Sequence, residues 1–98
     1  MARVELAPEV GADLDRILDH LQRHEAEHVA VRLREIIAAV DVLRTNPLIG
    51  RPTGNDKREL VIGRGSHGYV ALYRYVVGID TVFVLAVRAQ REAGFAGP

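Results

Sequence analysis

Two runs rich in β-branched and aromatic residues, 69–77 and 81–88, lie close together in the C-terminal half, separated only by Gly78-Ile79-Asp80. Tyr, Val, Thr and Phe fit a pleated, half-buried surface, and the Gly and Asp between them form turns, so the pair reads as a hairpin. A third run, Arg58-Glu59-Leu60-Val61-Ile62-Gly63, precedes it across the glycine-rich turn Gly63-Arg64-Gly65-Ser66-His67-Gly68. Together they predict a three-stranded antiparallel meander ending in an exposed basic tail, Gln90-Arg91-Glu92-Ala93-Gly94-Phe95. Such a sheet needs a cover over at least one face.

Alternation assigns the faces. Tyr69, Ala71, Tyr73, Tyr75 and Val77 share one side of the middle strand, and Val70, Leu72, Arg74 and Val76 the other. In the last strand, Phe83, Leu85 and Val87 alternate with Val82, Val84, Ala86 and Arg88. Both faces are therefore apolar. One takes the rest of the fold, and the other suits a partner, because an exposed apolar patch marks an interaction site.

The N-terminal half supplies the cover. Arg3-Val4-Glu5-Leu6 alternates as a short first strand. Pro8 suits a first helical turn, Glu9 and Asp13 complement the positive end of a helix dipole, and Val10, Leu14, Ile17, Leu18 and Leu21 recur at helical spacing. These predict an amphipathic helix over 8–24 whose solvent face carries Asp13, Asp15, Arg16 and Asp19. A weak boundary at Glu25-Ala26-Glu27 precedes a second helix over about 26–44, marked by Val29, Leu33, Ile36, Val40 and Leu43. Asn46-Pro47 ends it, since the residue before a proline avoids the helical region. Residues 48–57, with Gly50, Pro52 and Gly54, read as a loop whose Ile49 plugs the core edge.

With 98 residues, 48% of them hydrophobic, the chain fits one domain with a packed core. It has no cysteine, which removes disulfides and thiolate chemistry and fits a reducing compartment, taken here as the cytoplasm. The N-terminus shows no signal-peptide pattern, and no stretch is apolar for long enough to span a bilayer. Net charge is zero, but residues 1–50 hold six arginines against nine acids, and 51–98 hold seven basic residues against four acids. A neutral chain is a poor general binder of polyanions, whereas a basic patch on the C-terminal half suits an acidic partner.

Several groups of residues have the types that chemistry requires. Gly63-x-Gly65-x-x-Gly68 matches a dinucleotide fingerprint as a string, but it opens onto a strand where the fingerprint requires a helix N-terminus, so it reads as a hairpin turn. His20, His24 and His28 are spaced four apart, yet the helix boundary falls among them and no further ligand completes a zinc site; solvated helix-end histidines are the preferred reading, and no metal or cofactor is expected. Ser66-His67 lacks a third group to orient a nucleophile and base. Arg58, Arg64, Arg74, Arg88 and Arg91 cluster in the meander, where guanidinium forks can recognise carboxylates or phosphates. An ordinary basic rim paired with Glu59 and Glu92 is the competing reading, preferred for Arg64 and left open for Arg88 and Arg91.

Strand, helical hairpin and meander in this order resemble the RelE/ParE superfamily of type II toxin–antitoxin toxins. The likeness is carried by Leu6-Ala7-Pro8-Glu9 and Asp13-Leu14, by Asn46-Pro47-Leu48-Ile49-Gly50-Arg51-Pro52 and by Arg58-Glu59-Leu60. It continues through Tyr69-Val70-Ala71-Leu72-Tyr73-Arg74, Val84-Leu85-Ala86-Val87-Arg88 and the tail, so it covers nearly the whole chain. It implies a single α+β domain over 1–98: an N-terminal strand and helical hairpin packed on an antiparallel sheet completed by the meander.

RelE-like members are ribosome-dependent mRNA nucleases, and this chain departs from their pattern. Glu59 falls where a base sits, but Val70 stands where those nucleases carry a middle-strand arginine, and Ala89 and Gln90 stand where relatives place a histidine. ParE-like members instead poison DNA gyrase by binding it, which needs a surface rather than a catalytic constellation. The resemblance thus implies a ParE-like toxin with no catalytic residues. Arg88, Arg91 and Phe95 are its target-contact candidates. A cognate antitoxin, whose flexible acidic segment folds on the toxin, would meet Arg58, Tyr73 and Arg74. No membrane and no sequence-specific nucleic acid are expected as partners of the toxin alone. The alternatives are a RelE-like ribonuclease using Glu59, Arg74, Arg88 and Arg91, and a non-toxic binding module.

Overall fold

Pro8 and Glu9 open helix α1 (Pro8–His24), and Arg23 and His24 close it against the negative end of its dipole. Val10, Asp13, Ile17 and Leu21 form its buried stripe. The helix stops at Glu25, whose backbone leaves the helical region (φ −143°, ψ 47°) while its N–H still donates to the Leu21 carbonyl at 2.7 Å. One 3-10 turn (Ala26–His28) then leads into α2 (Val29–Val42), so the weak boundary expected at 25–27 is a real break. Helix α2 is shorter than the expected 26–44, and Leu43, just beyond it, is fully buried.

This computed structural model describes residues 1–90, with Ser66 by its backbone alone. Its sheet has five strands: β1 (Arg3–Leu6), β2 (Arg51–Gly54), β3 (Lys57–Ile62), β4 (Tyr69–Val76) and β5 (Thr81–Ala89). Their spatial order is β1-β5-β4-β3-β2. The expected meander is present as β3, β4 and β5, all antiparallel. Strand β1 pairs with β5 in parallel, so the sheet is mixed.

Three expectations are corrected. The stretch 48–57 is not only loop, because β2 pairs with β3. Asn55 and Asp56 between them have φ of 53° and 61°, the positive pair that closes a tight hairpin with the right twist. Pro52 is tolerated because β2 is the sheet's outer strand. Ile49 does not plug the core; it is 56% exposed. The strict alternation assumed for the last strand fails at Leu85: Leu72 pairs with Ala86 and Tyr73 with Val84, so Leu85 is an extra residue in a β-bulge. The bulge flips the register, which puts Val87 on the same buried side as Val82 and Val84.

The core lies between the helices and one sheet face. Tyr73, Leu21, Leu43, Val10, Val82, Val84 and Val87 are its largest fully buried side chains. Each such burial contributes roughly 1.5–3 kcal/mol before the cost of ordering. Asp13, assigned from sequence to the solvent face, is also buried, at 8% exposure. Its Oδ2 accepts the Val87 N–H at 3.0 Å and its Oδ1 accepts from Arg16 at 3.0 Å. No helix among the described residues is long and apolar enough to cross a membrane.

Candidate interaction surfaces

Cross-strand register builds the sheet's open face row by row. Val61, Val70 and Arg88 stand in one row, Glu59, Leu72 and Ala86 in the next, and Lys57, Arg74, Phe83 and Glu5 in the third. The centre is apolar and the margins are charged. Val61 is 58% exposed, while Val70, Leu72, Phe83 and Ala86 are half-buried by their neighbours. Arg51 and Glu59 pair at 2.7 Å, and Arg3 and Glu5 at 3.0 Å. Among the described residues this face carries no histidine or tyrosine, because Tyr69, Tyr73 and Tyr75 lie on the helix side.

The target-contact candidate Arg88 is exposed at the end of β5, opposite Val70, and has no ion pair among the described residues. The bulge one turn of the pleat earlier puts it on the open face. Arg91 and Phe95 lie outside the described residues.

The antitoxin-contact candidates divide. Tyr73 is corrected: it is completely buried, and its hydroxyl accepts the Gly50 N–H at 2.8 Å, so it is a core residue that no docked chain touches. Arg58 is half-buried and donates to the carbonyls of Leu48 (3.1 Å) and Gly50 (2.9 Å), which ties down the 47–50 turn. Arg74 is exposed and free of hydrogen bonds and ion pairs among the described residues. Arg58 and Arg74 do meet, with Lys57, in one cleft of about 600 Å³ beside the β2–β3 hairpin.

The helix side holds a different surface. Helix α2 is apolar around more of its circumference than it buries, and Ile37 stays 67% exposed. With Leu6, itself 56% exposed at the end of β1, it forms the lip of a groove floored by Val10, Ile36, Val84 and Val87. The groove measures about 210 Å³ and has Asp41 and Arg44 at one end. Sequence reasoning missed it. The adjacent pair Ile36-Ile37 was the available signal, since two neighbouring helical residues point about 100° apart and cannot both face one core.

The histidines are not gathered into a metal centre. The rings of His20 and His24 stack loosely, 4.7 Å between centroids. His67 and His28 turn instead to Glu25, at 3.3 and 3.9 Å, where Arg32 also reaches at 3.9 Å. Among the described residues no group of three or more metal-ligating side chains is placed to hold an ion.

Comparison with known proteins places this geometry. The sequence model of the ParE toxin of the type II toxin–antitoxin system parDE matches residues 4–94. Toxin RelE3 of Caulobacter vibrioides is 29% identical over 92 residues, covering 94% of this chain and 98% of that protein. Among solved structures, the chromosomal ParDE system of P. aeruginosa superposes with a TM-score of 0.75 at 24% identity, over 91% of this chain and 96% of that one. A chain of the toxin–antitoxin complex RelBE2 from Mycobacterium tuberculosis gives 0.57 at 20% identity, over 91% and 98%. A chain of the RelE–RelB complex from Pyrococcus horikoshii gives 0.51 at 17% identity, over 91% and 94%. These structural likenesses establish the fold.

Proposed function

This chain belongs to the ParE toxin family of type II toxin–antitoxin systems, and we propose that it arrests growth by binding DNA gyrase in the cytoplasm and is neutralised there by a cognate antitoxin. The make-up of the open sheet face carries the reading. Its centre is Val61, Val70, Leu72 and Ala86, with Arg88 exposed at the margin. Such a face can bury apolar area and present a guanidinium to a carboxylate, which is what a protein contact needs. Cleavage of RNA by transfer to the 2′-oxygen needs a base, a phosphate-stabilising cation and a proton donor for the leaving oxygen. Glu59 and the arginines could serve as the first two, but Glu59 is already paired with Arg51, and the described part of the face offers no histidine or tyrosine as the third.

The antitoxin is assigned to the groove lipped by Leu6 and Ile37. An apolar channel between helices and sheet suits an amphipathic helix laid along it, anchored by residues at helical spacing. The solved relatives from M. tuberculosis and P. horikoshii are themselves complexes of a toxin with its antitoxin, which supports a partner of that kind.

Induction of the chain in bacteria lacking the antitoxin, with pulse-labelling of DNA and protein synthesis over the first minutes, tests the target. DNA synthesis falling first, together with inhibition of purified gyrase in a supercoiling assay, is the expected result. Translation falling first would make the open face a nuclease site, and no fall in either would leave a binding module without toxicity.

A further inference from the structure

Lys57 and Arg74 stand directly opposite one another across β3 and β4. Like charges in that position repel, and opposed strands ordinarily place opposite charges there. The same sheet does so at its outer pair of strands, where Arg51 stands opposite Glu59 and pairs with it at 2.7 Å. Lys57 and Arg74 have no such relief: neither side chain makes a hydrogen bond or ion pair among the described residues. Asp56 lines the same cleft but lies within ion-pair distance of neither cation. Arg58 adds a third positive charge, committed to the Leu48 and Gly50 carbonyls.

The cleft is also apolar at its lip. Leu48 is 57% exposed and Val77 73% exposed, and Pro52, Tyr75 and Val76 complete the wall. Its volume of about 600 Å³ falls in the range that accepts several side chains rather than a single ion.

We infer that this cleft is a carboxylate-recognition site for an acidic, partly apolar segment of the antitoxin, separate from the groove on the helix side. A carboxylate set between Lys57 and Arg74 would relieve their repulsion and form charge-assisted hydrogen bonds with both. Leu48 and Val77 would take the apolar residues beside it. Nucleic acid is the less suitable occupant, because the chain is neutral overall and the lip is hydrocarbon. The inference rests on the antitoxin reading above.

The double variant Lys57→Gln, Arg74→Gln tests it. Three quantities are compared with wild type: thermal stability at low and high salt, affinity for the cognate antitoxin at several salt concentrations, and affinity for a single-stranded oligonucleotide. The variant is expected to melt no lower than wild type at low salt. It should bind antitoxin roughly 10- to 100-fold more weakly, as for loss of charged hydrogen bonds, with a shallower salt dependence. Neither protein should bind the oligonucleotide. Unchanged antitoxin affinity and salt dependence would overturn the inference while leaving the pairing with an antitoxin standing. Oligonucleotide binding that disappears in the variant would overturn it in favour of a nucleic-acid site. A wild-type chain that forms no antitoxin complex would overturn both readings.

Discussion

The Asp13 carboxylate reaches from helix α1 to the backbone of β5, where its Oδ2 accepts the Val87 N–H at 3.0 Å. The contact lies where β1 has run out: β1 ends at Leu6, paired with Val84, and the Ala7 N–H makes the last bond to the Val84 carbonyl. Beyond it the edge of β5 needs another acceptor, and Asp13 supplies it directly after the bulge at Leu85. Asp13→Ala removes that acceptor, strands a buried amide and breaks the 3.0 Å contact from Arg16. A loss of about 1–3 kcal/mol is expected in urea unfolding, with faster hydrogen exchange at the Val87 amide. Asp13→Asn, which keeps an acceptor oxygen, should lose less.

Gly50 and Tyr73 make a second long-range tie. A Cβ at position 50 would meet Tyr73 Cε1 and Oη at 2.7 Å and the Glu59 carbonyl oxygen at 2.9 Å. Tyr73 is fully buried and the Glu59 contact is backbone, so neither can yield easily. Gly50→Ala should therefore destabilise by about 1–3 kcal/mol through overpacking and loss of the 2.8 Å hydrogen bond. Tyr73→Phe keeps the packing but strands the buried Gly50 N–H without adding a clash, so a loss at the lower end of that range, about 1 kcal/mol, is expected. Chemical denaturation of the two variants side by side gives the order, and an equal or reversed order would remove steric closeness as the reason for glycine here.

These two ties also show where sequence reading stopped. The helices were legible because their apolar residues repeat at helical spacing and Pro8 and Pro47 punctuate them. The meander was legible from alternation and from glycines at the turns. Strand β2 was not, because Pro52, Gly50 and Gly54 look like loop residues unless the strand is known to lie at an edge, and position in the sheet is a tertiary fact. The bulge at Leu85 was hidden for a related reason: the residues around it are all apolar, so either register looks equally buried from sequence. Asp13 looked like one more member of an acidic helix face, since nothing local reveals an unpaired amide 74 residues away. Of the proposed contact residues, Arg74 and Arg88 are exposed, while Tyr73 is buried; an aromatic on a strand does not announce which face it takes once both faces are apolar.

Tyr75 and Asp80 carry a pH signature. The Tyr75 hydroxyl donates to Asp80 Oδ1 at 2.6 Å. That hydrogen bond, with smaller contributions from burial and from the Asp80 charge, raises the phenol above its usual 10.0. A raised folded-state value means that the folded chain holds this proton more tightly than the unfolded one. Its stabilising contribution is therefore complete below about pH 10 and is lost as pH rises through the folded-state value. In Asp80→Asn, which keeps a residue tolerant of the positive φ at this turn, the Tyr75 midpoint should fall back toward 10. Tyrosine ring-carbon NMR resolves the single residue, and an unchanged midpoint would remove Asp80 as the cause.

The groove makes a prediction that separates binding from folding. Ile37 is 67% exposed on α2, so Ile37→Glu should change stability by no more than about 0.5–1 kcal/mol. An antitoxin helix seated there would have to bury that carboxylate in an apolar channel, and affinity should fall at least about tenfold. Calorimetric titration with the antitoxin, alongside a melting curve of the variant alone, checks both halves. Wild-type affinity in a folded Ile37→Glu protein would move the antitoxin to another surface.

Arg88 offers the sharpest separation of target contact from everything else. It is exposed and unpaired among the described residues, and it stands in the row of Val61 and Val70, away from the groove of Leu6 and Ile37. Arg88→Ala should leave stability within about 0.5 kcal/mol of wild type, as for a surface residue without partners. Antitoxin affinity in the groove should likewise be unchanged. If Arg88 contacts the target, the variant loses growth arrest on induction and loses gyrase inhibition in the supercoiling assay, while Arg64→Ala, altered in the exposed glycine-rich turn, retains both. Arg88→Lys sharpens the point, because lysine keeps the charge but not the two-pronged geometry that a carboxylate accepts. Intermediate toxicity for lysine and none for alanine is the expected order, and full toxicity in both would take Arg88 out of the contact and leave the apolar centre of the face to carry it.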